Sequence, residues 1–173
     1  NFKKFLRYFS IKISNKFNVS GARLNRYKVG SSGTIVSDIA VDSSSGLLYI
    51  GSRTDQSIIK YDELKPENTQ LRFSGATNID PLGMAVDDAG NVYTFDGISR
   101  KVVKFNKTDG SRLLEFGPTG LNGTGENYTA VSDLSIDPRN GDIYVAGNAS
   151  GTVKIFRYNS SGNFIRSWSD GDL

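Results

Sequence analysis

Leu82-Gly83-Met84-Ala85-Val86-Asp87, Asp88-Ala89-Gly90-Asn91-Val92-Tyr93-Thr94-Phe95, Lys101-Val102-Val103-Lys104-Phe105-Asn106 and Asp109-Gly110-Ser111-Arg112-Leu113-Leu114-Glu115-Phe116 are four short apolar runs divided by Asp, Gly and Asn. Runs of this length, rich in Val, Tyr and Phe and bounded by turn residues, read as strands. Four in succession read as an antiparallel meander.

The same unit recurs on both sides. Ser37-Asp38-Ile39-Ala40-Val41-Asp42 and Ser132-Asp133-Leu134-Ser135-Ile136-Asp137 match Gly83 to Asp87. A Gly turn follows each, then a strand centred on tyrosine: Tyr49, Tyr93 and Tyr144. The third strand reads Ile58-Ile59-Lys60-Tyr61, Val102-Val103-Lys104-Phe105 and Val153-Lys154-Ile155-Phe156, and the fourth ends in Phe73, Phe116 and Trp168. Asp42, Asp87 and Asp137 are separated by 45 and 50 residues, the period of a propeller blade. Phe17-Asn18-Val19-Ser20-Gly21-Ala22-Arg23-Leu24 continues the register backwards, because it aligns with Tyr158-Asn159 through Phe164-Ile165. The expected fold is therefore all-β, a β-propeller of four-stranded antiparallel blades with about three and a half blades present. Residues 1–13 form an N-terminal arm, 11–36 hold the last two strands of a preceding blade, and 37–81, 82–131 and 132–173 are one blade each.

These residues resemble the NHL-repeat family of β-propellers: apolar-Ala-Val-Asp, a Gly turn, apolar-Tyr-apolar, a Lys-aromatic strand, then Gly and a last aromatic strand. The resemblance spans about Ile11 to Trp168. It implies a ring of about six blades, which this length does not fill, and it leaves function open, since members include enzymes, RNA binders, scaffolds and secreted proteins.

Composition narrows the chemistry. The chain has 173 residues, 19 Gly, no Cys and no His. Disulfides, thiolate or imidazole metal sites and histidine-dependent nucleophiles are excluded within it. No run is long and apolar enough for a transmembrane helix. Eight basic residues from Lys3 to Lys28 precede the first acidic one, Asp38, so a head of charge +8 precedes a body of −5. Residues 1–13 admit two readings. Phe2, Phe5, Leu6, Phe9 and Ile13 fit one face of a basic amphipathic helix, whereas Phe5, Arg7, Phe9, Ile11 and Ile13 alternate as a strand; aromatic and β-branched content favours the strand.

Each candidate for chemistry has a structural counterpart. Asp42, Asp87 and Asp137 offer oxygen ligands of the kind calcium takes, or cap a turn by accepting backbone N–H groups; recurrence in every blade favours the cap. Aromatic residues interleave with Lys and Arg in the head as in single-strand nucleic-acid sites, yet the blades are acidic, which disfavours nucleic acid. Asn-x-Ser/Thr occurs at Asn18, Asn106, Asn122, Asn127, Asn148 and Asn159, and three of these share the turn between third and fourth strands. That placement suggests N-glycosylation on an extracellular surface.

An arc of blades leaves two apolar ends that a second copy, a fibre of copies or further blades of the same polypeptide would cover. Phe2, Phe5, Leu6, Phe9, Ile11 and Ile13 are the candidate assembly residues. The reading that follows is a secreted, N-glycosylated, non-enzymatic structural or adhesive module that self-assembles, with no catalytic residues, metal or cofactor. An intracellular NHL-type scaffold for RNA or protein stands second. A metal-dependent lyase or lactonase-like propeller stands third.

Overall fold

The computed structural model describes residues 13–17, 20, 23–28, 34–62, 71–117, 128–149 and 151–172. Among these residues the fold is all-β, with fourteen strands and a single 3-10 turn at Asp170–Asp172. The hairpin β1 (Ile13–Phe17) and β2 (Arg23–Lys28) stands alone. Three four-stranded antiparallel meanders follow it. The first is β3 (Val36–Val41), β4 (Leu48–Ser52), β5 (Ser57–Tyr61) and β6 (Leu71–Thr77). The second is β7 (Pro81–Val86), β8 (Val92–Asp96), β9 (Lys101–Phe105) and β10 (Arg112–Phe116). The third is β11 (Tyr128–Ile136), β12 (Ile143–Ala149), β13 (Thr152–Tyr158) and β14 (Phe164–Ser169). The first strands β3, β7 and β11 lie side by side along the inside of the arc. This is a partial β-propeller whose ring is not closed. Of the candidate assembly residues, Phe2, Phe5, Leu6, Phe9 and Ile11 lie outside the described residues, and Ile13 opens β1.

Register shows how the repeat maps onto space. Tyr49 pairs with Lys60, Tyr93 with Lys104 and Tyr144 with Arg157. The basic-aromatic pair of the third sheet is therefore Arg157-Tyr158, a correction to the sequence alignment on Lys154 and Phe156. The cause is strand length: β13 has seven residues where β5 and β9 have five, so counting from the start of the run misplaces the match. The fourth strand of the first sheet also continues past Phe73, to Thr77. One residue is skipped in three places between the third and fourth strands: Leu24 opposite Lys16/Phe17, Leu113 opposite Lys104/Phe105, and Ile165 opposite Arg157/Tyr158. A bulge bends and twists a strand, so the β1–β2 hairpin carries the same bend, at the same place, as the outer halves of the second and third sheets.

The first two sheets are apolar on both faces, because alternate side chains go to opposite sides, and the second sheet meets a neighbour on each side. Tyr49, Ile58 and Phe73 of the first sheet pack with Met84, Val92, Val103 and Phe105 of the second. Tyr93, Phe95, Val102 and Phe116 on the reverse of the second pack with Leu134, Ile143, Val145, Phe156 and Tyr158 of the third. On the side of the first sheet away from the second, Ile50 and Ile59 are each 1% exposed, so the chain itself covers that face.

A recurring device joins the sheets. The fourth-strand aromatic of one sheet lies on the glycine of the third-to-fourth-strand turn of the next: a Cβ on Gly110 would sit 2.5 Å from Phe73, and one on Gly162 would sit 2.7 Å from Phe116. Both glycines have positive φ, 73° and 79°, which only glycine adopts without strain. Around the first joint, Gly75 N donates to Gly110 O at 3.1 Å, Arg112 Nε donates to Gly75 O at 3.0 Å, and Lys60 Nζ donates to Lys107 O at 2.9 Å. On the inner strands, Met84 N donates to Asp38 Oδ2 at 2.6 Å.

The joint makes a prediction with an internal control. Gly110→Ala is expected to lower stability by about 3 kcal/mol, combining left-handed strain with a methyl group forced into Phe73. Gly46→Ala has the same φ range, 74°, but open space around it, and is expected to cost about 1 kcal/mol. Urea unfolding of the two variants checks this; equal costs would show that Phe73 yields without penalty.

Candidate functional site

The recurring aspartates follow their strands into tight turns and accept turn N–H groups. Asp42 Oδ1 accepts from Ser44 N and Ser44 Oγ, and its Oδ2 accepts from Ser45 Oγ. Asp87 Oδ1 accepts from Asn91 N, and Asp137 Oδ1 from Arg139 N. Each carboxylate thus holds the turn that launches the next strand. Asp38 and Asp133 instead lie within β3 and β11, each at a register shift, and accept from the next residue's N–H, Ile39 N and Leu134 N, at 2.8 Å. Among the described residues no group of three or more Asp or Glu is arranged to hold a metal ion.

The second sheet gives its aspartate a cation. Lys104 Nζ lies 3.0 Å from Asp87 Oδ2 and 5.0 Å from the centroid of the Tyr93 ring, in a half-buried setting. Burial alone would raise the Asp87 pKa; hydrogen bonds from Lys104 and Asn91 outweigh it and hold the carboxyl below its usual range. Lys104, which burial would lower, is instead raised by Tyr93 and Asp87. The equivalent Tyr49 lacks a lysine of this kind, since Lys60 crosses to the next sheet, and burial together with the Asp42 charge pushes its hydroxyl up to about 12. In the third sheet Asp137 pairs with Arg139, and Arg157 with Asp142. One motif is therefore satisfied three different ways, as suits a scaffold element with no shared chemistry.

Two depressions mark the opposite rims of the arc. One, about 200 Å³, lies between the Asp87 and Asp137 turns and is lined by Val86, Asp88, Ile136 and Pro138. The other, about 360 Å³, is lined by Ile35, Arg53, Thr54, Gln56, Asp80 and Ile98. Arg53 clamps Asp80 there at 2.6 and 2.9 Å, and Ile35 and Ile98 are more than half exposed.

The glycosylation candidates divide. Asn106 and Asn159 start the third-to-fourth-strand turns, with Thr108 and Ser161 exposed. Asn106 Oδ1 accepts from Thr108 N at 2.8 Å; Asn159 Oδ1 accepts from Ser161 N and Asn163 N. Asn148 lies within β12, paired with Val153, and its Oδ1 accepts from Gly151 N. Asn18, Asn122 and Asn127 lie outside the described residues.

Sequence reasoning missed the outward face of the third sheet as a group of residues. Tyr49 and Tyr93 are 0% and 2% exposed, Ile58 and Val102 are both 0%, and Phe73 and Phe116 are 2% and 5%. Their counterparts Tyr144 and Trp168 are only partly buried, Ile155 is 38% exposed, and Val153 beside it is 58% exposed. Tyr144 and Trp168 stack at 6.3 Å with an interplanar angle of 16°. Arg157 lies over Tyr144, and Arg166 over Trp168 at 4.1 Å. No local signal marks the set, because residues of the same kind are buried at the equivalent positions of the other two sheets.

No protein-family model matches the chain, and no curated protein matches it. Solved structures do match, and they are six-bladed β-propellers. Virginiamycin B lyase from Staphylococcus aureus aligns with a TM-score of 0.65 at 16% identity, over 91% of this chain and 48% of that one. The nidogen–laminin complex gives 0.66 at 17% identity, over 84% and 52%. A gluconolactonase from Xanthomonas campestris gives 0.59 at 17% identity, over 77% and 47%. The chain spans about half the length of these proteins, and at such identities the likeness is one of fold.

The carboxylate turns fix the response to acid. Asp42, Asp87 and Asp137 all titrate below the usual range in the folded chain, Asp137 at about 2. Their contribution is complete above the unfolded-state aspartate pKa near ~4 and is lost as pH falls through the lower folded values. Stability is expected to be flat from about pH 7 to 5 and to fall between about pH 4 and 2. Asp87→Ala, which leaves Lys104 without its carboxylate, is expected to cost about 2 kcal/mol at pH 7 and less at pH 3. Urea unfolding at both pH values checks it; an equal cost at both would remove Asp87 from the acid response.

Proposed function

We propose that this chain is a non-catalytic propeller segment with a structural or adhesive role outside the cell, acting through contact between β-sheet faces. The observation that carries the reading is the outward face of the third sheet, where Tyr144, Ile155 and Trp168 expose surface that the equivalent residues of the other two sheets bury. Exposed apolar surface of this kind is a contact surface. Among the neighbours, nidogen solved in complex with laminin gives a precedent for a propeller in a macromolecular assembly. The lyase and gluconolactonase neighbours supply the enzymatic alternative, through their names alone at 16% and 17% identity.

The extracellular part of the reading rests on the Asn-x-Ser/Thr turns. Asn106 and Asn159 sit in turns outside the sheet ladder and are the expected attachment points, ahead of Asn148 within β12. In both turns the hydroxyl-bearing residue of the motif, Thr108 or Ser161, is exposed.

Intact mass spectrometry of the native protein, before and after enzymatic removal of N-glycans, tests this. Mass that falls on treatment and maps to Asn106 and Asn159 is expected. A native polypeptide whose mass does not change on treatment would overturn the extracellular reading and raise the intracellular scaffold above it.

A further inference from the structure

The depression of about 360 Å³ on the rim opposite the Asp42, Asp87 and Asp137 turns is lined by residues of the first two sheets and their turns. Its apolar part is Ile35, just before β3, and Ile98, in the turn between β8 and β9; they are 53% and 56% exposed. Its polar part is the Arg53–Asp80 pair, with Nε donating to Oδ1 at 2.6 Å and Nη2 to Oδ2 at 2.9 Å. Two parallel bonds of this kind hold a guanidinium and a carboxylate in one plane.

Backbone hydrogen bonds fix every part of this surface. Ile35 N donates to Thr54 Oγ1 at 2.9 Å, and Arg53 N donates to Ile35 O at 3.0 Å. The Asp96 carboxylate, 2% exposed, accepts from both Asp80 N and Ile98 N on one oxygen, at 2.9 and 3.0 Å. Gly97 N donates to Asp80 O at 2.8 Å, and a Cβ on Gly97 would sit 2.7 Å from Asp80 Oδ2, so the ion pair rests against bare backbone. A surface arranged before anything binds avoids much of the ordering cost of binding.

Backbone strain falls on the same rim. Among the described residues, positive φ outside glycine occurs at Gln56 (47°), Asn78 (56°) and Arg100 (57°). Gln56 lines the depression, Asn78 lies two residues before Asp80, and Arg100 two residues after Ile98. The opposite rim uses glycine at such positions, Gly46, Gly90, Gly110, Gly141 and Gly162. Glycine would relieve the strain at Gln56, and what the chain keeps there instead is an exposed amide side chain. Strain of this kind concentrates at ligand clamps.

Arg53 and Asp80 neutralise each other, so the depression offers an ion no net attraction. What a flat guanidinium beside aliphatic walls recognises is a neutral planar ring, because a guanidinium stacks on aromatic faces and the walls bury the ring's edges. A nucleobase would bring phosphate towards Asp80 and towards Asp55 in the Arg53 turn, which opposes it. We propose that this depression binds an aromatic side chain of a partner protein, stacked on the Arg53–Asp80 plane and covered by Ile35 and Ile98. The Gln56 amide, a donor and an acceptor at once, bonds to the partner's backbone. The site goes beyond the role proposed above, since it uses neither the outward face of the third sheet nor the Asn-x-Ser/Thr turns.

The test is a nuclear magnetic resonance titration of the full chain with the blocked peptide acetyl-Gly-Gly-Trp-Gly-Gly-amide, its leucine counterpart, and adenosine monophosphate. The tryptophan peptide is expected to shift the Ile35 and Ile98 methyl signals and the Arg53 Nε–H, with a dissociation constant of about 1–10 mM. The leucine peptide is expected to bind about tenfold more weakly. Arg53→Lys keeps the charge beside Asp80 but loses the plane, and is expected to weaken the tryptophan peptide about tenfold while leaving the leucine peptide unchanged. Ile98→Ser, on the surface, is expected to weaken both with unchanged far-ultraviolet circular dichroism. Gln56→Gly is expected to raise the urea midpoint while lowering peptide affinity, a pair of opposite changes that a purely structural residue would not give. Absence of shifts at Ile35 and Ile98 overturns the proposal, as does equal binding of the two peptides or an Arg53→Lys chain that binds tryptophan as before. Tighter binding of adenosine monophosphate than of the tryptophan peptide overturns the protein partner in favour of a nucleic acid.

Discussion

The seating of an aromatic ring on a left-handed glycine, Phe73 on Gly110 and Phe116 on Gly162, is the contact on which the arrangement of sheets depends. A four-stranded sheet that is apolar on both faces is stabilised by a neighbour on each side, and the second sheet has both. General burial is non-directional and would tolerate sheets that slide or rotate. The glycine turn removes that freedom, since only a backbone without Cβ admits the ring at that point. Arg112 donating to Gly75 O, Lys60 to Lys107 O and Met84 N to the Asp38 carboxylate then fix the outer, middle and inner strands of the same pair of sheets.

This explains why so much of the fold can be read from the chain. Strand pairing inside a meander is local, and the Asp and Gly that punctuate it are required by turn geometry, so the repeat of Asp42, Asp87 and Asp137 exposes the architecture directly. The misplacement of the third strand of the last sheet has an equally local cause. Tyr144 selects Arg157 through the ladder, whereas in the linear sequence Lys154 beside Ile155 and Phe156 looks like the same pair; only register distinguishes them. The outward face could not be recognised as a set of residues because Tyr144, Ile155 and Trp168 are aromatic and aliphatic residues of the same kind as those buried at equivalent positions elsewhere, and exposure depends on the presence of a neighbour.

The asparagines carry two meanings at once. In the turn, Asn106 and Asn159 accept N–H groups within the loop that presents Gly110 and Gly162 to the preceding sheet. Their recurrence is thus required by the joint itself, as the recurrence of the aspartates is required by the first turn. The Ser or Thr two residues on is not required in that way: Thr108 and Ser161 contribute backbone N–H groups, which most residues provide equally. The exposed hydroxyl-bearing residue is therefore the part of the motif that bears on glycosylation, and the asparagine alone carries little weight.

A repeat of this kind has a polarity that a closed ring conceals. Every joint has a side that offers the aromatic and a side that offers the glycine turn. On the third sheet the aromatic side is Trp168, flanked by Arg166 over its ring and stacked on Tyr144. Arginine over an aromatic ring keeps its charge hydrated while its plane covers the apolar surface, which lets such a face exist in water without losing its capacity to bind. The joint is one interaction, satisfied twice between the three sheets, and Tyr144, Ile155 and Trp168 hold the equivalent positions on the third sheet.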